Sequence, residues 1–380
     1  MDVIIHTQVY NGEKTLRRTI ESVLAQTYSD FIYHISDNAS TDGTVDIIAE
    51  YAKQDTRIIP TFNATNRFYA YIDIVRKHSR EYLDGYWAML DADDEYVPEF
   101  LETMLAFIQE NSLDLAACGF TAIDEETKRL IGHRQLFEDM ILTTSGFCEH
   151  FRKYHTFMRN VCAKLFSLKL LSECTFETIE SMPSYGGDTI FATEAFGNAK
   201  RAGILGKTLH NVYYLTSSIS CKWEPNRADS AYIRDDFTRE FLIKKCGSIS
   251  EKNENYLHGV YFGSVTEMLP VLLNPKLDMS FFDRVGYLLN ILKHEKTQQL
   301  LRIYANQNNL NTELRTPVCN WMLAHEQCSR LDGASSAVEV LIAMYPRLPD
   351  LADKNALAQM IIESPEAVRQ ILVEYGNLGL

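Results

Sequence analysis

Apolar runs of strand length alternate with helical patterns through the first 123 residues, and no other feature restricts the fold as much. Residues 3–8 read as a buried strand. Leu16, Ile20, Val23 and Leu24 then fall on one helical face. Residues 31–35, 57–62, 86–90 and 115–123 read as further strands, with helical patterns at 45–52, 69–77 and 98–111 between them. Such alternation predicts an α/β architecture, a mostly parallel sheet with helices on both faces. Ligands bind at the carboxyl ends of the strands in sheets of this kind. The loops after Gln8, Ile35 and Leu90 are therefore expected to converge on one crevice.

One of those loops carries unusual charge. The strand ending at Leu90 runs straight into Asp91-Ala92-Asp93-Asp94. Three carboxylates at the end of a buried strand repel one another unless a cation or ligand compensates them. Oxygen-only ligands suit Mg²⁺ or Mn²⁺, the ions that accompany diphosphates. Side chains alternate along an extended strand, so Asp91 and Asp93 can share a face while Asp94 turns away. The competing reading is a solvated acidic turn that starts a helix, because Asp and Glu favour helix N-termini.

At 380 residues the chain is long enough for two domains. Its 46% hydrophobic and 23% charged residues are those of a soluble globular protein. A net charge of −14 argues against nucleic acid or an anionic membrane as the main partner. The N-terminus lacks a basic secretory n-region, and no long uninterrupted apolar window predicts a transmembrane helix. The eight cysteines are scattered without a C-x-x-C pair. Reduced, mostly buried thiols in a cytoplasmic protein are expected, with neither a disulfide framework nor a zinc site.

Residues 124–160 read as irregular, 163–171 return to an apolar pattern, and the segment 222–227 looks like a boundary. The division is a first domain of residues 1–222 and a helical C-terminal domain of residues 223–380. Helical patterns in the latter fall at 256–269, 281–292, 299–305, 334–344 and 356–375.

Four segments, in order and spacing, resemble the family 2 glycosyltransferases, which adopt the GT-A fold. They are Val3-Ile4-Ile5-His6-Thr7-Gln8-Val9-Tyr10-Asn11-Gly12-Glu13, then Ser22-Val23-Leu24-Ala25-Gln26-Thr27-Tyr28, then the loop from Ser36 to Thr44, and Leu90-Asp91-Ala92-Asp93-Asp94. The likeness is close through residue 123, extends to about residue 222, and leaves out the C-terminal region. It implies that Val9 and Tyr10 cover the base of a bound nucleotide. Asp37 and Asn38 would hydrogen-bond that base, typically uracil. Many relatives have Asp where this chain has Asn38, and an amide both donates and accepts. Asp91 would bind the ribose and Asp93 the metal, Mn²⁺ or Mg²⁺. Arg67 would stand near the nucleotide, and a guanidinium fork suits phosphate. Each residue also has a plainer use: Tyr10 in the core, Asp37 and Asn38 as turn residues, Arg67 as a surface cation. Asp42, beside Gly43, reads as a helix cap.

Direct displacement at a sugar needs a base for the incoming hydroxyl. Asp188, in Tyr185-Gly186-Gly187-Asp188-Thr189, stands where relatives carry a G-D or E-D pair. The glycines would let the backbone approach a sugar closely. Asp188 suits the N-cap of the following helix equally well. His210 reads as structural or surface. Segment 213–220 looks like the family's serine-rich loop but lacks its basic residue. A Q-x-x-R-W motif is missing too, which points to addition of one sugar and not polymer synthesis.

The resulting expectation is an inverting, metal-dependent transferase moving one sugar from a UDP-sugar to a glycan, lipid-linked or protein acceptor. Residues 124–160 would shape the acceptor pocket. The alternatives are a non-catalytic sugar-nucleotide or carbohydrate-binding protein, and a sugar nucleotidyltransferase. The latter would need a Gly-rich basic loop where this chain has Gln8 to Glu13. Peripheral membrane association and a homo-oligomer through the helical domain are compatible with the sequence.

Overall fold

The computed structural model describes residues 3–182, 185–214, 223–266, 277–279, 287, 294–297 and 299. In chain order its first elements are β1 (Val3–Val9), α1 (Leu16–Leu24), β2 (Phe31–Asp37), α2 (Thr44–Gln54), β3 (Ile58–Phe62), α3 (Tyr71–Glu81), β4 (Tyr86–Met89), β5 (Glu95–Tyr96), α4 (Phe100–Glu110) and β6 (Leu115–Asp124). Then come β7 (Leu130–Arg134), β8 (Met140–Leu142), α5 (Gly146–Glu149), α6 (Phe151–Tyr154), a 3-10 turn (His155–Met158), β9 (Lys164–Ser167), α7 (Leu168–Ser172), α8 (Glu177–Glu180), α9 (Gly187–Asn198), β10 (Ala202–Tyr214), α10 (Arg227–Cys246) and α11 (Glu251–Thr266).

The strands form one sheet ordered β3-β2-β1-β4-β9-β6-β10-β5, with β7 on β6 and β8 on β10. β3, β2, β1 and β4 are parallel, as the alternation predicts, and so are β6 and β10. β9 runs antiparallel between β4 and β6 and joins the two parallel blocks. Segment 124–160 gains order that its composition hides. β7 and β8 lie antiparallel to long neighbours that supply their pairing.

Side-chain alternation gives the sheet two different faces. Val3, Ile5, Tyr33, Ile35 and Ala88 pack with Leu16, Ile20 and Val23 of α1, with Ile47 and Ile48 of α2, and with α4. Burying each Val, Leu or Ile among these stabilises by roughly 1.5–3 kcal/mol. On the other face His6, His34 and Trp87 meet α3 and α9. Trp87 lies 5.5 Å from Phe191 and 6.3 Å from Tyr71, ring to ring.

The motif Ser22-Val23-Leu24-Ala25-Gln26-Thr27 does structural work. Gln26 is buried; its amide donates to the carbonyl of Val97 at 2.8 Å and accepts from the amide of Leu101 at 2.9 Å. Thr27 N donates to the carbonyl of Pro98 at 2.9 Å. Tyr96 N donates to Ser22 Oγ at 3.3 Å. Helix α1 thus grips the segment that follows the acidic turn.

One expectation is corrected here. Cys148 in α5 and Cys246 at the end of α10 form a disulfide, with Cα atoms 5.8 Å apart. They stand 98 residues apart in the chain, so spacing gave no sign of the pairing. It removes the support that reduced thiols lent to a cytoplasmic location. Cys118 and Cys162 are free and buried, and Cys174 is free and half-buried.

The chain divides into two compact units, residues 1–220 with 236–249, and residues 221–235 with 250–380. In the second, Lys296 Nζ donates to the buried Asp235 at 2.6 Å, and Tyr232 stacks on His294. α11 matches the helix expected from residue 256. The helical patterns expected at 281–292, 299–305, 334–344 and 356–375 lie outside the described residues, apart from Tyr287 and Gln299. No helix among the described residues is long and apolar enough to cross a membrane.

Candidate active site

The parallel strands β1, β2 and β4 end side by side, and their loops meet as expected. Val9 pairs with Asp37 in register at the last rung, and the amide of Leu90 donates to the carbonyl of His6 at 3.0 Å. The first two loops are zipped together. Asn11 N donates to Ser40 Oγ and Asn11 Oδ1 accepts from Thr41 N, both at 2.8 Å. Gly12 N donates to Thr44 Oγ1 at 2.8 Å. Asn11 takes a positive φ of 53°, which Asn tolerates better than most residues. Gly43 is the N-cap of α2, and Asp42, one position earlier, accepts from the amide of Thr44 at 3.0 Å.

The residues expected at a nucleotide divide by exposure. Val9 is buried in the core, whereas Tyr10 is half exposed. Asp37 is buried and accepts from the amide of Ser40 at 3.2 Å. Asn38 spends part of its amide on the fold. It donates to the carbonyl of Arg67 at 2.9 Å and accepts from Asn63 Nδ2 at 3.0 Å. Gln8 also holds this segment, donating to the carbonyl of Phe68 at 2.8 Å and accepting from the amide of Tyr71 at 2.9 Å. The guanidinium of Arg67 lies on the surface, paired with Asp73 at 2.8 Å.

The three carboxylates after β4 have different environments. Asp94 is buried; Oδ1 accepts from the amide of Tyr213 at 2.9 Å, and Oδ2 lies 3.0 Å from His210 Nε2. His210 is thereby structural, not a surface residue. Asp91 opens to solvent within a crowded cleft. Burial by its surroundings, then the charges of Asp94, Asp93 and Asp188, push its pKa well above the usual carboxylate value. Asp93 is pushed up to about 6 by burial and Asp94, against a smaller opposing pull from Arg18. Neither Asp91 nor Asp93 holds an ion pair among the described residues. Unbalanced negative charge on a hard oxygen ligand fits a divalent cation. No trio of His, Cys, Asp or Glu among the described residues is disposed to hold a metal unaided. Magnesium-like sites commonly rely on one or two carboxylates together with substrate phosphates.

Asp188 faces the same cleft from the first turn of α9. The N-cap is Gly186, in the left-handed conformation at φ 92°, so Asp188 does not cap the helix. Its carboxylate is exposed and accepts from the hydroxyl of Tyr71 at 3.2 Å. Burial raises its pKa, while Tyr71 and Lys164 oppose the shift. Gly187 also makes room for a neighbouring side chain. A Cβ there would stand 2.4 Å from the ring of Tyr69, whose hydroxyl accepts from the amide of Gly187 at 3.1 Å.

Two cations beside the cleft escaped the sequence reading. Lys164 of β9 is fully buried, with Nζ donating to Asn160 Oδ1 at 2.8 Å and to the carbonyl of Cys162 at 3.1 Å. Burial lowers its pKa to about 7. Arg18 of α1 donates from Nη1 to both carboxylate oxygens of Glu125 at 3.0 and 2.9 Å and from Nη2 to the backbone carbonyl of Asp93, and it covers the ring of Tyr213 at 3.7 Å. Neither belongs to a recognisable motif. Only their burial, seen in three dimensions, sets them apart. The serine-rich stretch 215–220 lies outside the described residues.

Comparison with known proteins agrees with this geometry. The family described as Glycosyl transferase family 2 matches residues 4–175, which include the loops after β1, β2 and β4 but not Asp188. Among curated relatives, TuaG of Bacillus subtilis (strain 168), provisionally named a teichuronic acid biosynthesis glycosyltransferase, is 33% identical over 125 residues. The match covers 33% of this chain and 48% of TuaG. EpsE of the same organism, provisionally named a glycosyltransferase, is 35% identical over 120 residues, 31% of this chain and 42% of its own. The chain thus spans about half the length of these relatives or less. The crystal structure of S. aureus TarS 1-349 in complex with UDP-GlcNAc superposes with a TM-score of 0.54 at 15% identity, covering 96% of this chain and 92% of that one. At that identity the likeness establishes a GT-A fold and nothing finer. Residues 4–175 thus form a domain that matches glycosyltransferase family 2.

Proposed function

We propose that this protein is an inverting glycosyltransferase that moves one sugar from a UDP-sugar to a hydroxyl of a glycan, lipid-linked or protein acceptor. The observation that carries the reading is the division of charge in the cleft. Asp94 is bound to its own fold, while Asp91 and Asp93 keep uncompensated charge opposite Asp188. Asp93 would hold Mn²⁺ or Mg²⁺, and Asp91 would accept from the ribose. A cation bound there offsets the charge of the departing diphosphate. Tyr10, Asp37 and Asn38 border the place for the base, with Val9 beneath them, and Arg67 stands at its edge. A TarS structure of the same fold contains UDP-GlcNAc, which supports the donor class.

Asp188 acts as the base. It takes the proton of the acceptor hydroxyl as that oxygen bonds to the anomeric carbon. The bond from that carbon to the diphosphate breaks with its electrons, and the configuration inverts. A carboxylate whose pKa is raised towards neutrality is a better proton acceptor than an ordinary one. Tyr71, whose own pKa is raised well above normal by burial, keeps its proton and steadies Asp188.

Calorimetric titration of UDP with Mn²⁺, then with EDTA, tests the donor site. Metal-dependent binding that Asp93→Asn weakens by roughly tenfold or more is expected, a loss of about 1.4 kcal/mol or more. Equal binding with and without metal would overturn the assignment.

A further inference from the structure

Helix α1 reaches the acidic turn through two consecutive residues. Thr19 Oγ1 donates to the carbonyl of Asp94 at 2.9 Å, and Arg18 donates to the carbonyl of Asp93. Between them they hold both peptide groups that aim the last two carboxylates. Arg18 is the more committed of the two. Its Nη1 donates to both carboxylate oxygens of Glu125 just beyond β6, and its plane covers Tyr213 at the end of β10. Tyr213 in turn donates its hydroxyl to Glu95 and its amide to Asp94. Lys128 also reaches Glu125, at 2.7 Å. One side chain therefore joins α1, the acidic turn, β6 and β10.

This placement has a cost. The Arg18 side chain is largely buried, and its Nε–H finds no acceptor among the described residues. A buried donor without a partner is unfavourable. An ion pair that served stability alone could sit in many places. This one sits where a guanidinium fixes the peptide carrying Asp93.

Resting on the donor-site reading above, we propose that Arg18 is a positioning residue for the metal-bearing turn. It sets the direction in which Asp93 meets a cation on the donor diphosphate, and it does not touch donor or acceptor. A planar fork can bond Glu125 and the Asp93 carbonyl at once; an ammonium offers no such rigid geometry.

The test compares the full-length wild type with Arg18→Met, Arg18→Lys and Arg57→Met. Arg57 pairs with Asp55 at 2.7 Å away from the cleft and controls for loss of an ion pair. The readout is the Mn²⁺ concentration at which UDP binding, followed by calorimetry, is half-maximal. Partners that orient a metal ligand typically contribute about 10–100-fold to metal affinity. Arg18→Met should raise the Mn²⁺ requirement by about tenfold, and Arg18→Lys should recover part of that loss. Arg57→Met should melt lower yet keep the wild-type requirement. If Arg18→Met does not fold, a raised requirement in Arg18→Lys carries the proposal. An unchanged requirement in the Arg18 variants, with metal-dependent binding intact in the wild type, would make Arg18 only a structural staple. If the wild type itself binds UDP without need of metal, the donor-site reading fails and this inference falls with it.

Discussion

Two clusters of titratable side chains lie about the same mostly parallel sheet and meet opposite fates. The carboxylates Asp91, Asp93 and Asp188 gather at the carboxyl ends, in a cleft open to solvent. The imidazoles of His6, His34 and His78 gather behind them, between β1, β2 and α3. His6 Nε2 lies 2.9 Å from Ser36 Oγ, His34 Nε2 lies 2.8 Å from Thr61 Oγ1, and His78 Nε2 lies 3.4 Å from His34 Nδ1. Burial is the main cause of the shift in both, yet it works in opposite directions on acids and bases. It holds the histidines neutral, His6 well below its usual range and His34 at about 4. Neutral rings can pack and exchange hydrogen bonds without a ligand. The carboxylates relieve their repulsion only by taking up a proton or meeting a cation. Polar groups in a core are therefore not equal evidence for a site. The informative ones are those whose charge the fold leaves unbalanced.

The sharpest way to break this comparison is at Asp188. Asp188→Asn should lower turnover by about 10²–10⁴ while metal-dependent UDP binding stays near wild type. Full turnover in that variant would remove the base from the mechanism.

The histidine cluster should answer to pH and not to substrate. A His whose folded pKa is depressed binds fewer protons folded than unfolded, so its contribution to stability is present above the unfolded pKa of about 6.5 and is lost as pH falls. For His34 the window runs from about 6.5 down to about 4, with up to about 3 kcal/mol at stake. Thermal melts of wild type and His34→Gln across that range should diverge, the variant being the flatter. Parallel curves would mean that the cluster does not resist protonation.

The acid cluster should show the reverse sign. A carboxyl whose folded pKa is raised favours the fold at low pH and opposes it as pH rises through that value. Asp91→Asn should thus raise the melting temperature near neutral pH by a few degrees, roughly, while weakening UDP binding. A lower melting temperature would show that Asp91 serves the fold.

Much of this was legible in the chain itself. Alternation of period near 2 with period near 3.6 announced β1 to β4 and their helices, because local burial patterns decide those elements. Leu90 to Asp94 stood out because carboxylates beside a buried strand are expensive wherever they occur. Arg18, Lys164 and the histidines were not legible. Each is an ordinary residue within an ordinary helix or strand, and its meaning comes from neighbours brought by other segments. Arg18 needs Glu125 and Tyr213, over a hundred residues on. Strand alternation already turned Asp94 away from Asp91 and Asp93, but it did not show that the amide of Tyr213 takes its carboxylate.

The amino-acid order alone determined the α/β class, the crevice at the strand ends and the residue types within it. These depend on short-range periodicity and on the cost of clustered charge. The tertiary structure decided which carboxylates stay available, that Gly186 and not Asp188 caps α9, that Gly187 makes room for Tyr69, and that Cys148 meets Cys246. Those outcomes depend on distances between remote segments, and spacing along the chain does not encode them.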